Sequence, residues 1–264
     1  MDALLEVRDL SFIYHSPDAE TEAVKRVSFE VGREEFVAIV GPSGCGKTTI
    51  LSLIAGILEP SSGEIFLKGK PWEEMSGLTA FMPQRDQLFE WRNIVRNVLL
   101  GLEIMHAKTP ENITYARSLL QKYGLAEFEK KRPSELSGGM RQRAALIRTL
   151  VTSPELLLLD EPFSALDFQT RLSVCDDVYD IIRAEKKTVV FVTHDIAEAI
   201  SMADRIIVLT ERPAEIKSIY RIDLNKTLSP LKRRELGFGD YFKKIWADLE
   251  VKQCRKNIKD ISVN

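Results

Sequence analysis

Cysteine and histidine are scarce in this chain, with three of each among 264 residues. The cysteines show no paired spacing and occur at Cys45, Cys175 and Cys254. This usage predicts a reducing compartment and argues against a disulfide framework. The histidines are too few and too scattered for a zinc cluster, so the sequence predicts no zinc site.

The chain also lacks long apolar runs and a strong net charge. No segment approaches the roughly 18–20 apolar residues that a membrane-spanning helix needs. The first ten residues carry acids where a signal peptide has a basic region, so we expect the protein to stay in the compartment where it is made. Lys and Arg (37) nearly balance Asp and Glu (39), for a net charge of −2. We therefore expect no nucleic-acid partner.

The most informative stretch that is present is GPSGCGKTT, which follows one apolar run and opens into another. At a strand-to-helix junction this pattern predicts a phosphate-binding loop of a nucleoside triphosphate site. Its backbone N–H groups face the phosphates, its lysine reaches the β- and γ-phosphates, and its first threonine ligates Mg²⁺. The predicted loop residues are Gly41, Pro42, Ser43, Gly44, Cys45, Gly46, Lys47, Thr48 and Thr49. For Cys45, simple packing and a redox-sensitive thiol both stay open.

Polar residues at the ends of further apolar strands complete a candidate catalytic set. Asp160 and Glu161 follow Leu156–Leu159, where Asp160 is suited to hold Mg²⁺ and Glu161 to polarise the attacking water. His194 follows the apolar run Val189–Val192 and is predicted to contact the γ-phosphate. Gln84 ends another predicted strand, where its amide can touch Mg²⁺ or the attacking water.

A second anion-binding device stands before Asp160. Ser137, Gly138 and Gly139 precede a helical pattern, and exposed N–H groups at such a helix start bind anions. An ordinary capped helix start is the alternative. Two phosphate-binding devices in one chain are explained if one of them acts on the nucleotide of a partner subunit.

Apolar periodicity predicts the order of the elements. Alternation predicts half-buried strands over 4–14 and 27–31, separated by a turn cluster over 15–20. Short apolar runs predict strands over 35–40, 65–67, 78–82, 156–159, 189–193 and 206–209, several of them parallel and covered on both faces. Helical spacing predicts an insert between about 93 and 133, with Gly124 as a helix stop. The tail after Leu231 is charged, with a helix predicted over Tyr241–Val251.

Together these motifs resemble the nucleotide-binding ATPase of ATP-binding-cassette (ABC) transporters, from about residue 4 to residue 209. The resemblance implies an α/β fold: a P-loop NTPase core with a mainly parallel sheet, an N-terminal antiparallel β subdomain and an inserted α-helical subdomain. It also implies that Tyr14 stacks on adenine and that Asp167 belongs to the loop coupling two ATP sites in a head-to-tail dimer. The family signature usually ends in Gln, and Met140 replaces it here.

The resemblance further implies partners and a location. These are a second copy or a paralogous ATPase, permease subunits at the cytoplasmic face of the membrane, and, indirectly, a solute-binding protein. The stretch Leu88–Asn93 is similar to one in ATPases for nitrate, sulfonate and taurine import.

We expect the ATPase domain over 1–230, with a helical subdomain over about 93–150, and a C-terminal extension over 231–264. A soluble ATPase of the same fold serving cofactor assembly is the alternative.

Overall fold

Strands and helices alternate along most of the protein, for which a computed structural model describes residues 3–17, 19–74, 77–234 and 237–250. The strands are β1 (Ala3–Ser16), β2 (Ala19–Gly32), β3 (Phe36–Val40), β4 (Ser62–Leu67), β5 (Lys70–Pro71), β6 (Thr79–Met82), β7 (Leu156–Asp160), β8 (Thr188–Val192), β9 (Arg205–Leu209) and β10 (Ile216–Arg221). The helices are α1 (Lys47–Ile54), α2 (Ile94–Val98), α3 (Leu100–Ile104), α4 (Pro110–Lys122), α5 (Gly138–Leu150), α6 (Phe168–Ala184), α7 (Ile196–Met202), α8 (Pro230–Arg233) and α9 (Phe238–Glu250).

The N-terminal strands form an antiparallel sheet in the order β2-β1-β4-β5. The predicted half-buried strand over 4–14 is confirmed, with Leu5, Val7 and Leu10 buried. A turn does fall within the range predicted over 15–20, at Pro17, but it is narrower than predicted. Ser16 pairs with Ala19, and the Ser16 hydroxyl donates to the Ala19 carbonyl at 2.8 Å, so both strands continue to a much tighter turn.

The second sheet has six strands in the order β10-β9-β3-β8-β7-β6. All neighbours are parallel except β10, which runs antiparallel to β9. The apolar runs predicted over 35–40, 78–82, 156–159, 189–193 and 206–209 are its five parallel strands. The predicted α/β fold with a mainly parallel sheet is therefore confirmed.

Both faces of β3 are buried, which explains why its sequence is apolar without alternation. Phe36, Ala38 and Val40 face a core built mainly with the helices. Val37 and Ile39 face the opposite way, into a core shared with α1 and the antiparallel sheet. The phosphate-binding loop that follows β3 is thus anchored between two packed layers.

The predicted helical insert is confirmed as α2, α3 and α4. With α5 these helices lie between β6 and β7, which are direct neighbours in the sheet, so the chain leaves the sheet and returns beside its point of exit. Asn93 caps α2 by accepting the Arg96 N–H at 3.0 Å. Gly124, at φ +73°, follows the end of α4 as predicted.

The C-terminal elements pack on this core. The helix predicted over Tyr241–Val251 is α9, which buries Ile245 completely, while Val251 and the rest of the tail lie outside the described residues. Arg233 of α8 is buried and donates to the Ser201 carbonyl at 2.9 Å. Among the helices described here, none combines the length and the apolarity needed to cross a membrane.

Candidate active site

The predicted phosphate-binding loop lies between the end of β3 and the start of α1. Gly44 and Gly46 have φ of +71° and +125°, which residues with a side chain rarely adopt. A Cβ on Gly46 would also lie 2.8 Å from the Ala23 carbonyl oxygen on β2. The loop therefore needs glycine at its turn, and it ends at a helix N-terminus whose partial positive charge favours phosphate.

Lys47 begins α1 and points back into the loop. Its side chain is buried, and Nζ donates to the carbonyl oxygens of Gly41 and Pro42, each at 2.9 Å. Ser43 and Gly44 are exposed at the tip of the loop. The ammonium group is thus held where phosphate oxygens of a nucleotide can replace the two carbonyls.

Cys45 is buried under the same loop. Burial raises the pKa of its thiol, and this effect outweighs the nearby charge of Lys47. A protonated, buried thiol is a poor nucleophile. These observations favour packing over the redox-sensitive alternative.

Thr48 and Asp160 meet at the edge of the sheet where β7 ends. The Thr48 hydroxyl donates to Asp160 Oδ1 at 3.0 Å. Burial raises the pKa of the Asp160 carboxyl, while the hydrogen bond from Thr48 opposes this shift. A hydroxyl and a carboxylate in contact beside a phosphate-binding loop are an oxygen ligand set of the kind that Mg²⁺ takes, so these residues fit the ion.

Glu161 is the centre of a cluster that joins three strand ends. Its Oε2 accepts a hydrogen bond from Gln84 Nε2 at 3.1 Å and lies 3.2 Å from His194 Nδ1. The backbone of Glu161 has φ +43°, a left-handed conformation that costs energy in a residue with a side chain. The structure therefore brings together Gln84, Glu161 and His194, next to Asp160.

Ser164 also belongs to this cluster, although sequence reasoning did not single it out. Its hydroxyl accepts from Gln84 Nε2 at 3.1 Å and donates to the Glu161 carbonyl at 3.0 Å. Arg212 was missed as well, and its Nη2 donates to the Gly44 carbonyl at 2.7 Å. Ser164 lies three residues after Glu161, which is a local signal, whereas only the folded chain brings Arg212 to the loop.

Tyr14 lies near the end of β1, next to α1. Its hydroxyl is 3.1 Å from Thr49 Oγ1, and its ring packs edge-on against Phe12. The side chain is 43% exposed. An exposed ring beside the loop suits a planar base, and its stacking on adenine stays a prediction.

Ser137 and Asp167 cap two neighbouring helices. Ser137 Oγ accepts the Met140 N–H at 3.3 Å, and Asp167 Oδ1 accepts the Thr170 N–H at 3.0 Å. Hydrogen bonds with Thr170 lower the pKa of the Asp167 carboxyl. In the ranges that the structure describes, no hydrogen bond or ion pair joins either residue to Lys47 or Thr48.

Close packing leaves little room for a side chain at the start of α5. A Cβ on Gly139 would lie 2.8 Å from Val174 Cγ2 on α6, and one on Gly138 would lie 3.1 Å from Leu166 Cδ2. Met140, where the family usually has Gln, contributes its backbone N–H to the Ser137 cap. The replaced side chain therefore leaves this capping hydrogen bond in place.

A phosphate-binding loop, an acidic pair after a buried parallel strand and a helical insert before that strand define a P-loop nucleotide hydrolase of the cassette type. A sequence model of the ABC transporter family matches residues 24–164. The chain is 46% identical over 249 residues to the uncharacterised ABC transporter ATP-binding protein YtlC of Bacillus subtilis (94% of this chain, 96% of that protein). It is 40% identical over 201 residues to the taurine import ATP-binding protein TauB of Rhizobium johnstonii (76% and 77%).

Among solved structures, the fold is similar to the dimeric ATP-binding cassette MJ0796 in a post-hydrolysis state with ADP and Pi, at a TM-score of 0.70 and 28% identity. That similarity covers 83% of this chain and 98% of the cassette. This chain belongs to the ATP-binding proteins of the ABC transporter family and is an ATPase of that class.

Proposed function

We propose that the chain is the ATP-hydrolysing subunit of an ABC importer, coupling ATP binding and hydrolysis to uptake of a small solute of the nitrate, sulfonate or taurine group. The observation that carries the catalytic part is the Glu161 carboxylate between Gln84 and His194, beside the Thr48–Asp160 pair. The transport part is supported by relatives that include taurine and aliphatic sulfonate import ATP-binding proteins. These names favour transport over the cofactor-assembly alternative.

The proposed roles follow from the positions of the groups. Lys47 and the loop N–H groups hold the β- and γ-phosphates of ATP. Thr48 and Asp160, with Gln84, hold Mg²⁺, which neutralises phosphate charge when bound. Glu161 accepts a proton from the attacking water, and His194 contacts the γ-phosphate and keeps the Glu161 carboxylate in place.

We propose that each ATP site is completed by a second ATPase subunit, either a copy of this chain or a paralogue. Ser137, Gly138 and Gly139 then close over the nucleotide held by the opposite loop, and Asp167 couples the two sites. In the described part of the chain, neither Ser137 nor Asp167 has a hydrogen bond or ion pair to Lys47, and the cassette of similar fold is dimeric; both observations support this proposal. The proposed domain boundaries, 1–230 with the insert at about 93–150, leave α9 as an extension that packs on the core.

The groove between β6 and α3 is the proposed contact with a permease subunit. It encloses about 350 Å³ and is lined by Ala80, Phe81, Leu100, Ile104 and Met105. Ile104 is 70% exposed, an apolar surface suited to an amphipathic helix. The chain would then act at the cytoplasmic face of the membrane as a peripheral subunit, and a solute-binding protein would act on the permease without touching this chain.

Mixing two inactive variants tests the two-chain site. Ser137→Arg fills the anion-binding helix start, and Lys47→Ala removes the charge-assisted phosphate contact. In a mixed dimer one composite site carries both lesions and the other carries neither. We expect ATPase activity to reappear on mixing, measured as phosphate release against each variant alone. Full activity of Ser137→Arg by itself would contradict the proposal.

A further inference from the structure

Arg171 lies one turn into α6 and contacts the loop that precedes this helix. Its Nη2 donates to the Leu166 carbonyl at 3.0 Å, and Leu166 directly precedes Asp167. The guanidinium therefore fixes the backbone next to the residue that is proposed to couple the two ATP sites.

The same guanidinium faces two acids that follow His194, at the start of α7. Its Nη1 is 3.8 Å from Asp195 Oδ2, and its Nε is 3.9 Å from Glu198 Oε1. The Arg171 Nε is buried and has no hydrogen-bond partner among the described residues. A shift of well under 1 Å would bring it within hydrogen-bond distance of Glu198.

Glu198 connects Arg171 to the backbone beside His194. The Thr193 hydroxyl donates to Glu198 Oε2 at 2.6 Å and accepts the Asp195 N–H at 3.0 Å. The Glu198 side chain is 4% exposed, and burial raises its pKa. A buried carboxyl needs compensating partners, and here these are Thr193 and Arg171.

We propose that Arg171 is a positioning residue that transmits the placement of the Leu166–Asp167 loop to the His194 turn. Arg171 contacts the Leu166–Asp167 loop through the Leu166 carbonyl. It is linked to the His194 turn through Glu198 and Thr193. The proposal rests on the two-chain site proposed above, in which the Asp167 loop meets the partner subunit. Closure of the dimer would then fix the position of the His194 side chain and, through it, the position of the Glu161 carboxylate.

An arginine suits this role better than a lysine. Its planar fork donates to the Leu166 carbonyl and also places two further nitrogens within 4 Å of the Asp195 and Glu198 carboxylates, an arrangement that a single ammonium group does not reproduce. Among the described residues, no hydrogen bond or ion pair joins Arg171 to the phosphate-binding loop or to Asp160, so its loss should slow hydrolysis without weakening ATP binding.

The test compares Arg171→Met with Arg143→Met as a matched control. Arg143 of α5 has the same kind of surroundings, with its Nε 3.8 Å from Asp177 Oδ2 and a hydrogen bond to the Tyr123 carbonyl. Within the ranges that the structure describes, no hydrogen bond or ion pair joins it to a residue of the site. For Arg171→Met we expect kcat to fall by roughly 10–100-fold, as for a displaced catalytic group. The affinity for ATP should change by less than about 2-fold, and the Hill coefficient should fall towards 1. Arg143→Met should keep kcat and the Hill coefficient.

A double variant separates positioning from folding. Arg171→Met leaves the buried Glu198 without its cationic partner, and adding Glu198→Gln removes the acid while keeping an acceptor for Thr193. We expect the melting temperature to recover in the double variant and kcat to stay low. Recovery of kcat together with stability would overturn the proposal, as would wild-type kcat and Hill coefficient in Arg171→Met. A wild-type chain without ATPase activity would instead contradict the proposed function, and this inference with it.

Discussion

Glu161 combines a left-handed backbone with a carboxylate that two neighbours hold in place. Replacement by Gln keeps the shape of this side chain and removes its ability to accept a proton. We expect Glu161→Gln to slow hydrolysis by about 10²-fold or more and to leave ATP binding nearly intact, because Lys47, Thr48 and Asp160 are unchanged. An ATP-bound dimer should accumulate on gel filtration.

Glu155→Gln is the matched control. Glu155 immediately precedes the first residue of β7, at the end of the strand away from Glu161, and pairs with Lys68 at 2.8 Å. It should hydrolyse ATP at the wild-type rate. A wild-type rate in Glu161→Gln would mean that another group is the base.

Asp160 is a site residue whose ionisation should weaken the fold. Burial raises its pKa above the ordinary 3.8, so its contribution to stability is complete at low pH and is lost as pH rises through the raised pKa. Asp160→Asn does not titrate and can still accept from Thr48. Without nucleotide, we expect the variant to match the wild type at acid pH and to melt at a higher temperature near neutral pH. The measurement is thermal unfolding across a pH series.

The same preparations carry an internal control. MgATP should raise the melting temperature of the wild type by mass action and should raise that of Asp160→Asn much less, because the carboxylate charge that is proposed to hold Mg²⁺ is gone. Equal stabilisation by MgATP would argue against Asp160 as a ligand.

At the scale of elements, the sequence predicts the strands buried on both faces, because a run such as Leu156–Leu159 is continuously apolar and is too short for a typical buried helix. The glycine-rich motif predicts the phosphate-binding loop. The apolar runs predict where each strand ends and therefore which polar residues lie at that edge of the sheet. Helix α6 was not predicted, although the sequence carries the signs of a helix there: a capping residue at Asp167 and apolar residues at helical spacing. Strand β10 is different, because Ile216–Arg221 is half-buried and becomes a strand only by pairing with β9.

Helix α9 allows a test of how firmly the C-terminal region belongs to the core. Ile245 is fully buried there, whereas Lys244 is exposed. We expect Ile245→Ala to lower the free energy of unfolding by about 2–5 kcal/mol. Lys244→Ala, with the same product side chain in the same helix, should change it by less than about 0.5 kcal/mol. Urea unfolding checks both, and equal stability of the two variants would mean that α9 contributes little to the folded state.

At the scale of the whole molecule, the groove between β6 and α3 should be needed for binding to the permease, and hence for coupling ATP hydrolysis to transport. Ile104→Glu places a charge on an exposed apolar position, so the fold should survive. We expect less co-purification with the detergent-extracted permease, quantified by immunoblot. Ile57→Glu, at another exposed isoleucine, is the control and should co-purify as the wild type does. Normal co-purification of Ile104→Glu would place the permease contact elsewhere.

The sheet order also constrains how the chain is made on the ribosome. Both neighbours of β3 in the sheet, β8 and β9, are synthesised about 150 residues later, which at roughly 5–20 residues per second is a delay of about 8 to 30 seconds. During that interval the apolar segment Phe36–Val40 has no partner strand on either side. Productive folding therefore depends on keeping this nascent segment from aggregating until the last third of the chain emerges.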